Sequence, residues 1–79
     1  MLPWLASPKL SRRRSVKKIG MKIKALREKR GLSQEALATR AKISRGHLAR
    51  LETGRHEPTL TMLGKIAEAL GVPVTELLA

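Results

Sequence analysis

Residues Gln34–Thr53, QEALATRAKISRGHLARLET, hold two short amphipathic segments separated by three residues, and that spacing decides the fold. Ser33 offers an N-cap for a helix from Gln34 to about Ala41, with Leu32 before it and Leu37 at the fourth helical position. Ser44 repeats the arrangement for a helix from Arg45 to about Thr53, with Ile43 before it and Leu48 at the fourth position. Each is a hydrophobic staple, in which the residue ahead of the cap packs on the next turn and fixes the angle of entry. Only Lys42, Ile43 and Ser44 connect the two helices, which forces them to cross steeply. Ala38 leaves room for the second helix, and Leu37, Ala41, Leu48 and Leu51 supply the apolar contacts. Arg45, Gly46, His47, Ala49 and Arg50 then fall on the outer side of the second helix. Two arginines at i and i+5, with slim residues between them, suit the major groove, where a guanidinium grips guanine O6 and N7.

Outward from this pair, Ile19, Ile23 and Leu26 share one face of a helix predicted to start after Ser15 and to run to Arg30. Gly31 follows as its stop. Gly20 lies inside that helix, where it costs about 1 kcal/mol against Ala and permits a close approach. A fourth helix is predicted behind Pro58 and Thr59, with Leu60, Leu63, Ile66, Ala67 and Leu70 on one stripe and Gly71 at its end. A short fifth helix, about Val74 to Leu78, follows Pro73. Neither β-type alternation nor an internal repeat interrupts the pattern. The fold class is all-α, a five-helix domain over residues 15–79, preceded by residues 1–14 as a flexible basic arm. That arm carries Lys9, Arg12, Arg13 and Arg14 and no acid.

Composition narrows the function. With 17 Lys+Arg against 6 Asp+Glu in 79 residues, the formal charge is +11, above the roughly 2 to 8 that solubility needs in a small domain. Such an excess concentrates polyanions around the chain. Trp4 is the only aromatic residue, so a base-stacking platform for single strands or RNA is excluded. Absence of cysteine excludes disulfides, zinc fingers and thiol nucleophiles. His47 and His56 stand nine apart in a chain without Asp or Cys, so neither metal nor cofactor is expected. No polar triad supports catalysis, and the chain is read as a non-enzyme. No apolar run approaches the roughly 20 residues of a membrane span. The first segment makes a poor signal peptide, Ser11–Arg14 lacks the apolar region of a twin-arginine signal, and a transit peptide would want an amphipathic stripe. The cytoplasm is therefore the expected location.

The ordered set Ile19-Gly20, Ile23, Leu26-Arg27, Gly31-Leu32-Ser33-Gln34-Glu35, Leu37-Ala38, Ala41, Ile43-Ser44, Leu48, Leu51-Glu52, Gly54, Pro58-Thr59-Leu60, Leu63, Ile66-Ala67, Ala69-Leu70 and Val72 resembles one family. It is the Xre/Cro-type helix-turn-helix domain of the lambda-repressor-like fold, and the resemblance covers residues 16–79. It implies that Gln34 binds a phosphate from its helix N-terminus and that Arg27 pairs with Glu52, holding Arg27 near the DNA backbone. By the same resemblance Arg45, Gly46, His47 and Arg50 meet base edges. Arg55 and His56 follow the adjacent phosphates with Ser44; Lys42, where the sequence departs from the family, is set beside them as a further phosphate contact on its charge alone. Bland alternatives stand beside these roles: an exposed Arg27–Glu52 pair worth under about 1 kcal/mol, an ordinary first-turn Gln34, and solvated Arg45 and Arg50. The sequence departs from the family at Lys42, where Gly with positive φ is usual, at a cost of roughly 1 kcal/mol. It departs again at Gly46, where a polar base reader is frequent.

The implied function is sequence-specific binding of double-stranded DNA by a transcription regulator, such as a repressor. The alternative is an antitoxin-like or controller protein whose main partner is another protein, with DNA binding for autoregulation. Trp4, Leu5 and Leu10 of the arm would anchor that partner, while Arg12, Arg13 and Arg14 would follow a minor groove or nearby phosphates. A membrane-surface role for the arm is disfavoured by Pro3 and Pro8. One recognition helix covers few base pairs, so a homodimer is expected, with Val72, Val74, Leu77 and Leu78 either forming its contact or closing the monomer core. Operator sequence, sign of regulation and effector are not written in the chain.

Overall fold

The computed structural model describes residues 8–78, with side chains from 15 to 78. Among the described residues there are five helices and no strand: α1 Pro8–Lys29, α2 Gln34–Ala41, α3 Arg45–Glu52, α4 Leu60–Leu70 and α5 Val74–Leu78. The last four begin where the capping signals place them. Helix α1 instead starts at Pro8, ahead of the expected Ser15, and ends at Lys29. Lys, Leu and Arg dominate residues 9–14, all good helix formers, and proline suits a first helical position. Ser15, a possible N-cap by its residue type, lies within the helix, and no apolar periodicity marks the turns ahead of it. The side chains assigned to the arm, Trp4 and Arg12–Arg14 included, lie outside the described residues.

Local chemistry sets the ends of the elements. Oγ of Ser33 accepts from the Ala36 N–H at 3.0 Å, Oγ of Ser44 from the His47 N–H at 3.0 Å, and Oγ1 of Thr59 from the Met62 N–H at 3.1 Å. Each bond satisfies an N–H that the helix itself cannot. Helices α1 to α4 close alike, with a left-handed residue followed by an N–H reaching back five residues: Leu32 to Arg27, Ile43 to Ala38, Arg55 to Arg50 and Val72 to Ala67. Three of the left-handed residues are glycines, and the fourth is Lys42 at φ 60. This closure turns the chain sharply into the next helix, and after α2 it generates the bend between α2 and α3.

The core is aliphatic. Ile23, Leu37, Leu48, Leu51, Ile66, Leu70 and Leu77 are fully buried, each contributing on the order of 1.5–3 kcal/mol. Ile19 and Leu26 pack half-buried around them. Leu60 leaves its expected stripe: as the first residue of α4 it stands ahead of the turns that meet the core, and it is 72% exposed. Leu77 closes the monomer core, and Val72 and Val74 pack half-buried against it. Leu78 remains exposed. At Gly20, α1 crosses the end of α3 so closely that a Cβ would overlap the Leu51 carbonyl oxygen and sit 2.8 Å from that of Glu52. Any side chain there would push α3 away.

Candidate nucleic-acid interface

Helix α3 is held from behind and bare in front. Its inner face buries Leu48 and Leu51. Glu52, at its last turn, is 5% exposed and faces Arg27 of α1, which is 8% exposed. Arg27 Nε donates to Glu52 Oε2 at 2.7 Å and its Nη2 donates to Oε1 at 3.2 Å. This two-pronged geometry fixes direction as well as distance. Arg27 Nη1 donates to the Leu32 carbonyl at 2.8 Å, so one guanidinium ties α1, the α1–α2 turn and α3 together. Hydrogen bonding to Glu52 raises the Arg27 pKa above its ordinary value despite opposing burial, and the group stays charged.

Gln34 belongs to the same network, which the sequence did not foretell. Its Nε2 donates to Glu52 Oε1 at 3.0 Å, leaving one amide hydrogen for an outside acceptor. Arg27, Ser33, Gln34, Glu35 and Arg45 line a recess at the N-terminus of α2. The positive end of the helix dipole and the Arg45 guanidinium meet there, opposed by the Glu35 carboxylate, while the Arg27 charge is already matched by Glu52.

On the outer face Arg45, Gly46 and Arg50 are all exposed. A Cβ added to Gly46 would lie 3.7 Å from Arg50 Nη1, so that guanidinium lies back over the first turn of α3. Ser44 is exposed; its oxygen serves as the cap, and its O–H remains able to donate. Lys42 and Arg55 are exposed on either side of α3.

His47 differs from its neighbours. It is half-buried, its Nε2 is shut from solvent without a hydrogen-bond partner, and its ring meets that of His56 edge to face, centroids 4.6 Å apart. Burial lowers its pKa, followed by the nearby His56 and Arg50, so the ring is held neutral. Nine residues separate the two histidines, and the sharp turn at Gly54 folds the chain back across α3 to bring them together. Among the described residues, no group of three or more His, Cys, Asp or Glu could hold a metal, and no helix is long and apolar enough to cross a membrane.

Known proteins share this architecture. The helix-turn-helix family HTH_3 matches residues 23–77. An immunity repressor protein of Bacillus phage phi105 is 44% identical over 72% of this chain, which spans 40% of that repressor's length. An uncharacterized HTH-type transcriptional regulator of Sinorhizobium fredii is 41% identical, with 77% of this chain and 79% of the relative covered. Among solved structures, the restriction-modification controller protein C.AhdI from Aeromonas hydrophila superposes with a TM-score of 0.77 at 34% identity, covering 78% of this chain and 94% of that one. The chain belongs to the helix-turn-helix family HTH_3, the Xre and lambda-repressor-like group of DNA-binding transcription regulators.

Proposed function

We propose that the chain is a sequence-specific regulator that inserts α3 into the major groove of double-stranded DNA, with Arg45 and Arg50 as its principal base readers. The observation that carries this is the pairing of an exposed, two-arginine front on α3 with a buried Arg27–Glu52–Gln34 clamp behind it. A rigid rear and a cationic front are what base reading requires. Gln34, Arg27, Ser44, Lys42, Arg55 and His56 serve as the phosphate contacts, and the half-buried His47 reaches the groove at most with the edge that His56 leaves open. Selection of binding sites from random duplexes, followed by anisotropy titration of Arg50→Ala, tests the reading. Preference at one base pair should relax at a loss of about 1–3 kcal/mol, a roughly 5- to 150-fold weaker Kd. A chain that favours no duplex at physiological salt refutes it.

The regulator acts as a homodimer on half-sites about one helical turn apart, in the cytoplasm where the DNA lies. Sedimentation of the free chain and of its complex checks the stoichiometry. Likeness to a restriction-modification controller protein favours a second reading, in which the chain controls its own transcription beside a protein partner held by the arm. Capture of that partner by the full chain, and its loss when residues 1–14 are removed, would decide for it.

A further inference from the structure

The turn after α3 is not alone at its edge of the molecule. Gly54 takes φ +77, and the place where its Cβ would stand is 3.1 Å from Lys17 Cα and 3.3 Å from Lys17 Cβ. The missing side chain thus lets α1 rest directly on the end of the recognition helix. Lys17 is exposed and packs against Gly54, and Arg55, also exposed, is the next residue along that turn. Exposed cations thus stand on α3 at Arg50, on the turn after it at Arg55 and on the stretch of α1 that packs against that turn at Lys17. Along α1 the first acidic residue is Glu28, and on the turn itself Glu57 lies two residues beyond Arg55. Glu52 at the end of α3 is turned inward and occupied by Arg27 and Gln34.

We propose that Lys17 and Arg55 form a ledge that grips the sugar-phosphate backbone next to the point where α3 leaves the groove, so that α1 carries part of the DNA footprint. This rests on the DNA-binding reading above. Duplex phosphate is the occupant the chemistry favours: both side chains are cationic and exposed, and the turn between them follows directly on the arginine-bearing helix α3. An ammonium on a flexible stem serves as a point charge for phosphate and carries no base preference. Loss of Lys17 should therefore weaken all duplexes alike.

The test titrates the full-length wild type, Lys17→Gln and Lys65→Gln against a selected duplex and a random one across a salt series, with melting curves of each protein. Lys65 is an exposed cation on α4 and controls for loss of bulk charge. Lys17→Gln should flatten the slope of log K against log salt by about 0.9. Its loss of affinity should be equal on both duplexes, with the melting temperature unchanged. A wild-type slope for Lys17→Gln, an equal flattening by Lys65→Gln, or a lowered melting temperature with an unchanged slope would each overturn the ledge. A wild type that binds neither duplex removes the DNA reading itself, and the ledge with it.

Discussion

Lys42 holds a conformation that its side chain opposes. At φ 60 and ψ 42 its Cβ crowds the backbone, at a cost of roughly 1 kcal/mol, yet its N–H and that of Ile43 both return to the end of α2. The bend is thus over-determined by its neighbours: buried Ala41 precedes it, and Ile43 packs against the core. Lys42→Gly should therefore stabilise the domain by up to about 1 kcal/mol, less the extra freedom glycine gives the unfolded chain. A urea midpoint raised without change in slope is the expected result. If Lys42 also touches phosphate, the same variant should bind duplex more weakly while melting later. Gly46 poses the opposite case. It lies in ordinary helical conformation, and a Cβ there would meet only Arg50 Nη1, at an ordinary contact distance of 3.7 Å, so nothing in the backbone or its surroundings demands glycine.

At the scale of elements, Arg27 and Glu52 connect α1 to α3 and carry opposite charges into a nearly closed site. Removing one partner strands the other. Glu52→Ala should cost about 3–5 kcal/mol by leaving the Arg27 charge buried and uncompensated. Replacing both, as Arg27→Met with Glu52→Leu, should recover most of that loss and still leave DNA binding weak. Melting curves beside anisotropy titrations separate the two effects; a double variant that binds like wild type would mean the pair has no part in the interface. Much of this element-level organisation was legible in the chain. Caps at Ser33, Ser44 and Thr59 and stops at Gly31, Gly54 and Gly71 are local events, written within four or five residues of where they act. The start of α1 was not legible, because residues 9–14 form helix through propensity without an apolar stripe. Nor was the bond from Gln34 to Glu52 or the meeting of His47 with His56. Both depend on where separate turns bring distant segments, which no spacing within one helix encodes. Leu60 misled for a related reason, since a stripe drawn by periodicity does not tell which of its turns reaches the core.

The molecule as a whole carries a net charge of +11, and its response to acid depends on where further protons go. His47 is the described imidazole with a pKa pushed down, by burial first and then by His56 and Arg50. An unfolded chain takes up that proton at about pH 6.5, whereas the folded one resists it until lower pH. Between those limits the unfolded state binds more protons, so stability must fall as pH falls and is fully present above the window. Wild-type protein should therefore melt at progressively lower temperature from neutrality to about pH 5. His47→Gln removes this source of acid sensitivity while retaining a side chain of similar reach. Its melting temperature should decline more shallowly over the same interval. Parallel curves would mean that the shielded ring adds no acid sensitivity, and that its contact with His56 persists with either protonation state. A shallower curve for the variant would tie the stability of the recognition helix to a neutral ring beside Arg50.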